Sequence, residues 1–91
     1  MTLDQFTTSL TEPQPPVGLH PVLLALWHDA KGEWEQAHNI AQSREGEPAY
    51  DRLHAYLHRK EGDRFNANYW YRRAGTSLFS GSLDDEWAAL V

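Results

Sequence analysis

Apolar residues along this chain recur at helical spacing, and glycine and proline cut them into six short segments. Leu3, Phe6 and Leu10 form one stripe, which predicts a short helix over 2–10. The stretch Glu12-Pro13-Gln14-Pro15-Pro16 cannot continue it and is expected to run extended as a stiff spacer. After Pro21, Leu23, Leu24, Leu26 and Trp27 give a wide apolar surface, more than a peripheral helix needs. Lys31-Gly32 ends that helix, and Trp34, Ala37, Ile40 and Ala41 mark the inward face of the next, to about Gln42. Residues 43–48 read as a loop. Tyr50, Leu53 and Leu57 then predict a helix over Ala49–Lys60. Gly62 breaks it, Asp63 is placed to cap its successor, and Ala67, Trp70, Tyr71 and Ala74 form the cleanest amphipathic stripe of the chain. Gly75 ends that helix. Ser82 before Asp84-Asp85-Glu86 predicts a capped last helix with Leu83, Trp87 and Leu90 inward.

The middle of this pattern repeats. Laying Leu23–Ala41 over Leu53–Tyr71 aligns Leu23 with Leu53, Ala25 with Ala55, His28 with His58, Gly32 with Gly62 and Ala37 with Ala67. These are positions where packing and turn geometry restrict choice. The fold class expected is all-α: two antiparallel hairpins, Pro21–Gln42 and Ala49–Ala74, with flanking helices at both ends. Residues 1–16 read as an N-terminal helix and Pro-rich spacer, and 17–91 as the helical-repeat domain. A terminal helix of this kind is expected to cover the open face of the stack.

The segment Gly62-Asp63-Arg64-Phe65-Asn66-Ala67…Tyr71…Ala74, preceded by Ala55, resembles the tetratricopeptide repeat. Gly32-Glu33-Trp34-Glu35-Gln36-Ala37 matches the turn and the alanine, but Ala41 stands where that family has an aromatic and Arg44 where it has the final alanine. The period here is 30 residues, shorter than the family's, and two repeats are fewer than such stacks need, so the end helices acquire a packing role. Residues 22–75 are also similar to a family of small uncharacterised proteins, a resemblance that implies one compact domain and no particular activity.

At 91 residues the chain makes one small domain, and four Trp, four Tyr and three Phe supply much of its core. A net charge of −5 argues against a binder of phosphate backbones, although Arg52, Arg59-Lys60, Arg64 and Arg72-Arg73 make the second half locally basic. The absence of cysteine excludes disulfides, thiolate metal sites and cysteine nucleophiles. The N-terminus does not read as a signal peptide, and no apolar run is long enough for a membrane span, so a soluble, cytoplasmic protein is expected.

Candidate chemistry concentrates on the histidines. His54 and His58 lie at i, i+4 with Asp51 one turn earlier, a spacing that suits a borderline metal such as Zn²⁺. His28 is the repeat equivalent of His58. The alternatives are histidines packed and hydrogen-bonded within the fold, the metal set His54, His58 and Asp51, or a polar pocket for a small molecule in which imidazole and tyrosine act as acid and base. In the register that the tetratricopeptide resemblance implies, Tyr56, Arg59 and Lys60, with Leu26 and Asp29, would line a concave groove for an acidic or C-terminal peptide. The plain alternative is a solvated charged face.

Asn66–Arg73 interleaves aromatic and basic residues, but helical spacing separates Trp70 and Tyr71 from Tyr69, Arg72 and Arg73, so no nucleic-acid platform results. No phosphate loop, dinucleotide fingerprint or nucleophile elbow is present. The leading expectation is therefore a protein or peptide interaction module without cofactor, nucleic-acid or membrane partner. A small-molecule or metal-binding protein, or an enzyme, using the histidines is the alternative, and a homodimer is a further one.

Overall fold

The computed structural model describes residues 1–91 and is all-helical. Its elements are α1 (Leu3–Ser9), α2 (Pro21–Ala30), α3 (Trp34–Gln42), α4 (Pro48–Glu61), α5 (Arg64–Ala74) and α6 (Leu83–Leu90). The two predicted hairpins are α2–α3 and α4–α5. The start of α4 lies one residue earlier than expected, because Pro48 serves as its first helical residue and its missing N–H costs nothing there.

Both hairpins turn by the same device. Gly32 and Gly62 sit at φ +81° and +88°, a left-handed conformation that a Cβ would strain. The residue after each glycine donates its N–H back to a histidine carbonyl, Glu33 to His28 and Asp63 to His58, both at 2.9 Å. The glycines bond the carbonyls of Asp29 and Arg59 at 3.0 Å. This pairing of a six-residue and a four-residue bond satisfies the last carbonyls of α2 and α4. The aligned alanines have an equally direct cause. Ala25, Ala37, Ala55 and Ala67 are all buried, and small side chains there let the two helices of each hairpin approach closely.

Helix α4 is the centre of the molecule and packs on α5, α3, α6 and α2. Tyr50, Leu53, Tyr56 and Leu57 join Val22, Leu26 and Trp27 of α2 in the main core. Ala55 faces the other way, toward Ala67, Trp70 and Tyr71 of α5. The terminal helices complete the main core. Phe6 of α1 is buried and meets Trp87 of α6 edge-on at 5.6 Å between ring centroids. The Trp87 indole N–H donates to the Leu26 carbonyl at 3.0 Å. Lys31 ties the N-terminal segment down through the carbonyls of Leu10 and Glu12. The wide apolar surface of α2 is thus explained by the two terminal helices that cover it. Ser82 caps α6 as expected, in a capping box with Asp85.

Gly62→Ala is expected to destabilise the fold by about 1–2 kcal/mol, because no neighbour obstructs the new Cβ and only the left-handed backbone is strained. Urea unfolding of the variant checks the magnitude, and Gly32→Ala gives the same measurement in the first hairpin.

Candidate functional site

The residues singled out from sequence fall into two groups on opposite sides of α4. On one side lie Asp29, Tyr56, Lys60 and Arg59, expected to line an open peptide groove. Helix α6 narrows it: Asp29 and Tyr56 are buried, and with Lys60, Leu10, Asp84 and Trp87 they line a cleft of about 240 Å³. Asp29 accepts from the Tyr56 hydroxyl at 2.8 Å and from Lys60 Nζ at 2.9 Å. Glu86 of α6, fully buried, accepts from Arg59 at 2.8 Å and from the Tyr71 hydroxyl at 2.5 Å, while Arg59 also donates to the Gly81 carbonyl. Two buried carboxylates are therefore each held by one tyrosine and one cation. Burial and the adjoining carboxylates push the Tyr56 and Tyr71 hydroxyls well above their ordinary range, so both stay protonated donors. Of the two cations expected to face a peptide, Arg59 is thus taken up by Glu86 of α6 and Lys60 by Asp29 of α2.

On the other side lie the histidines. His54 is buried, and its Nε2 stands 3.0 Å from Nε2 of His38 on α3. His58 completes a triangle with ring centroids 4.9 Å from His54 and 5.1 Å from His38. One ring nitrogen from each lies within 4.8 Å of the other two. Asp51 is not part of this group. It is fully buried and turned to the inter-repeat loop, where it accepts the Gly46 N–H at 3.0 Å. Of the set His54, His58 and Asp51, the structure brings His54 and His58 together, adds His38 and leaves Asp51 apart. Asp51 shares a face with His58 but stands two turns earlier, about 10 Å along the axis in the first turn of α4, where the adjoining loop offers it the Gly46 N–H.

The signal for His38 was present in the sequence. It lies four residues after Trp34, on the inward stripe of α3, and could have been added to that stripe. His28, by contrast, does not enter the triangle. It is half-buried and pairs with Glu33 across the first glycine turn at 2.9 Å. The corresponding distance in the second hairpin, His58 to Asp63, is 3.9 Å.

Two indoles hold the triangle in place. Trp34 stacks on His38 with centroids 4.7 Å apart, and its N–H donates to the Leu57 carbonyl of α4 at 2.9 Å. Trp70 stacks on His54 at 3.9 Å, with Arg73 over its outer side. Burial, reinforced by the neighbouring imidazoles, lowers the His54 pKa to about 3, and burial with His58 lowers that of His38. The His38 and His54 rings are consequently neutral near pH 7 and available as acceptors or ligands. The Nδ1 atoms of His54 and His58 and Oδ2 of Asp51, all on α4, have no hydrogen-bond partner within the chain.

A third feature was not anticipated. The outer face of α5 is uncovered and displays Phe65, 81% exposed, beside Leu78, 60% exposed, from the following segment. Between them lies a cleft of about 380 Å³ lined by Asn68, Tyr71 and Arg72 among others, and a second of about 280 Å³ adjoins it through Asn68, Tyr71 and Leu78. Arg64 and Arg72 flank this face without an ion-pair partner. Trp70 and Tyr71 are buried while Tyr69 is exposed, so the aromatic-basic stretch splits between core and surface.

Two outcomes follow. Glu86→Ala leaves Arg59 and Tyr71 facing an empty position and is expected to cost about 3 kcal/mol or more, read by chemical denaturation, with α6 the element released. Stability is also expected to fall with acid. Below the unfolded histidine pKa of about 6.5 the unfolded chain binds protons that folded His54 refuses down to about 3, so stability is present above pH 6.5 and is lost on descent through that window. Thermal melts at stepped pH check the sign, and His54→Gln, if it folds, flattens the slope.

No helix is long and apolar enough to cross a membrane. No protein-family model, curated protein or solved structure matches the chain.

Proposed function

We propose that this chain is a two-hairpin, tetratricopeptide-like interaction module that docks a partner protein on the outer face of α5. The observation that carries this reading is the uncovered end of the stack. In the first hairpin α3 is covered by α4, whereas its repeat counterpart α5 has no helix over it. An array of such hairpins would continue there, with the next helix seated on the second helix of the last unit.

The face has the makings of an interface centre: Phe65 and Leu78 stand exposed around a cleft, with cationic ends. Arg64 and Arg72 are eight residues apart, about 12 Å along the helix. The matching occupant is a helical segment with an apolar residue between two carboxylates at similar separation. A partner of different sequence is favoured over a second copy, because two α5 faces meeting each other would set these arginines against their own kind. The intramolecular clamp on Glu86 illustrates the same chemistry, with an arginine and a tyrosine receiving a helical carboxylate.

Replacing Phe65 with benzoylphenylalanine and irradiating cells of the source organism is expected to crosslink one defined polypeptide. Arg64→Glu/Arg72→Glu in the same protein abolishes the adduct, while circular dichroism shows the fold retained. The reading fails if no adduct forms, or if its yield ignores the charge reversal. Sedimentation velocity separates the self-association alternative, which predicts a dimer lost on Phe65→Glu.

A further inference from the structure

From the juxtaposition of His38, His54 and His58 we infer a binding site for one borderline divalent transition-metal ion, of the zinc class, between the two hairpins. The site is independent of the α5 surface and lies on the other side of Trp70.

The geometry supports the inference in three ways. First, the ligand atoms are already gathered. Two Zn–N bonds of about 2.0–2.1 Å at a tetrahedral angle place their nitrogens about 3.3–3.4 Å apart. His38 Nε2 and His54 Nε2 stand at 3.0 Å, so a few tenths of an ångström of separation admits the ion. His54 and His58 come from successive turns of α4, the i, i+4 spacing that directs two imidazoles to one centre.

Second, the cluster is costly as a purely structural feature. A neutral imidazole has one donor and one acceptor, so the His38–His54 contact uses one hydrogen between two rings. The Nδ1 atoms of His54 and His58 are left without a protein partner. Three imidazoles brought together in a region that could have held leucines are poor packing, but a good ligand set.

Third, the surroundings are built to hold these rings and to favour a cation. Trp34 and Trp70 stack on His38 and His54, limiting their rotation. Asp63 Oδ2 lies 3.9 Å from His58 Nδ1, near enough to orient that ring once the metal engages its other nitrogen. Glu35, Glu45 and Glu61 all act electrostatically on His38, at the half-buried edge of the group.

The donor set selects the ion. Three neutral nitrogens suit zinc, nickel or copper and are a poor match for magnesium or calcium, which require oxygen. Three protein ligands leave a fourth position for water or an outside donor. The site also joins α3 to α4, one helix from each hairpin, so an ion there fastens the two units together.

The test is titration of the untagged, chelator-treated protein with Zn²⁺, followed by calorimetry and native mass spectrometry, with Mg²⁺ as the contrasting ion. One equivalent of Zn²⁺ and no Mg²⁺ is expected, with a rise in melting temperature. His38→Gln, at the edge of the cluster where the fold tolerates it, and His58→Gln each lower affinity by at least about tenfold, the loss that even an outer partner of a metal ligand produces. His28→Gln and Asp51→Asn leave it unchanged. Absence of stoichiometric Zn²⁺ from folded wild-type protein overturns the inference, as does binding that survives His38→Gln. Circular dichroism of every variant distinguishes loss of the site from loss of the fold.

Discussion

The rest of this structure depends on the burial of α4. Helices in a small domain ordinarily bury one stripe and leave the opposite face to water. Helix α4 instead has neighbours on four sides and buries Asp51, His54 and Tyr56 along with its apolar residues. Each buried polar group then requires a partner, because an orphan in low dielectric costs about 1–3 kcal/mol. Tyr56 and Lys60 find Asp29, Arg59 finds Glu86, and His54 finds His38. These bonds run to α2, α6 and α3, so the same requirement that stabilises α4 also fixes the placement of three other helices.

The hairpin repeat supplies the frame, and departures from it supply the chemistry. Apart from Leu23 and Leu53, residues identical between the two units are those of the turn and the close helix crossing: the glycines, the alanines and the histidines whose carbonyls accept the turn bonds. Departures fall where the units face different neighbours. Leu24 of the first unit corresponds to His54, and Asn68 of the second to His38, so the imidazole triangle forms only where α3 meets α4 and cannot form a second time. At the far end the outer face of α5 carries no helix, and Phe65 stands exposed there beside the unpaired Arg64 and Arg72.

Helix α6 decides which surface remains. It packs on α2 and α4 through Trp87 and Glu86, and Phe6 of α1 meets Trp87. Two hairpins alone would leave the apolar side of α2 in water, which a domain this small cannot sustain. Completion of the core therefore narrows the space beside Asp29 and Tyr56 and leaves the outer face of α5 uncovered.

Local periodicity and turn chemistry determined the number of helices, their limits to within a residue or two and the hairpin pairing. Glycine, proline and capping residues act through the backbone next to them, so their effects are readable in the chain. The burial of Ala25, Ala37, Leu53, Leu57 and Trp70 was legible for the same reason. Partner identity was not. Helical spacing offered Asp51 as a companion for His54, but Asp51 bonds Gly46 in the adjoining loop, and it is the packing of α3 on α4 that brings His38 to 3.0 Å. Glu86 read as one more acidic residue at a helix start, yet the docking of α6 places it, fully buried, on Arg59 and Tyr71. Periodicity specifies which face of a helix turns inward. Which charge or ring it meets there depends on packing between elements distant in sequence, and that is set by the tertiary structure alone.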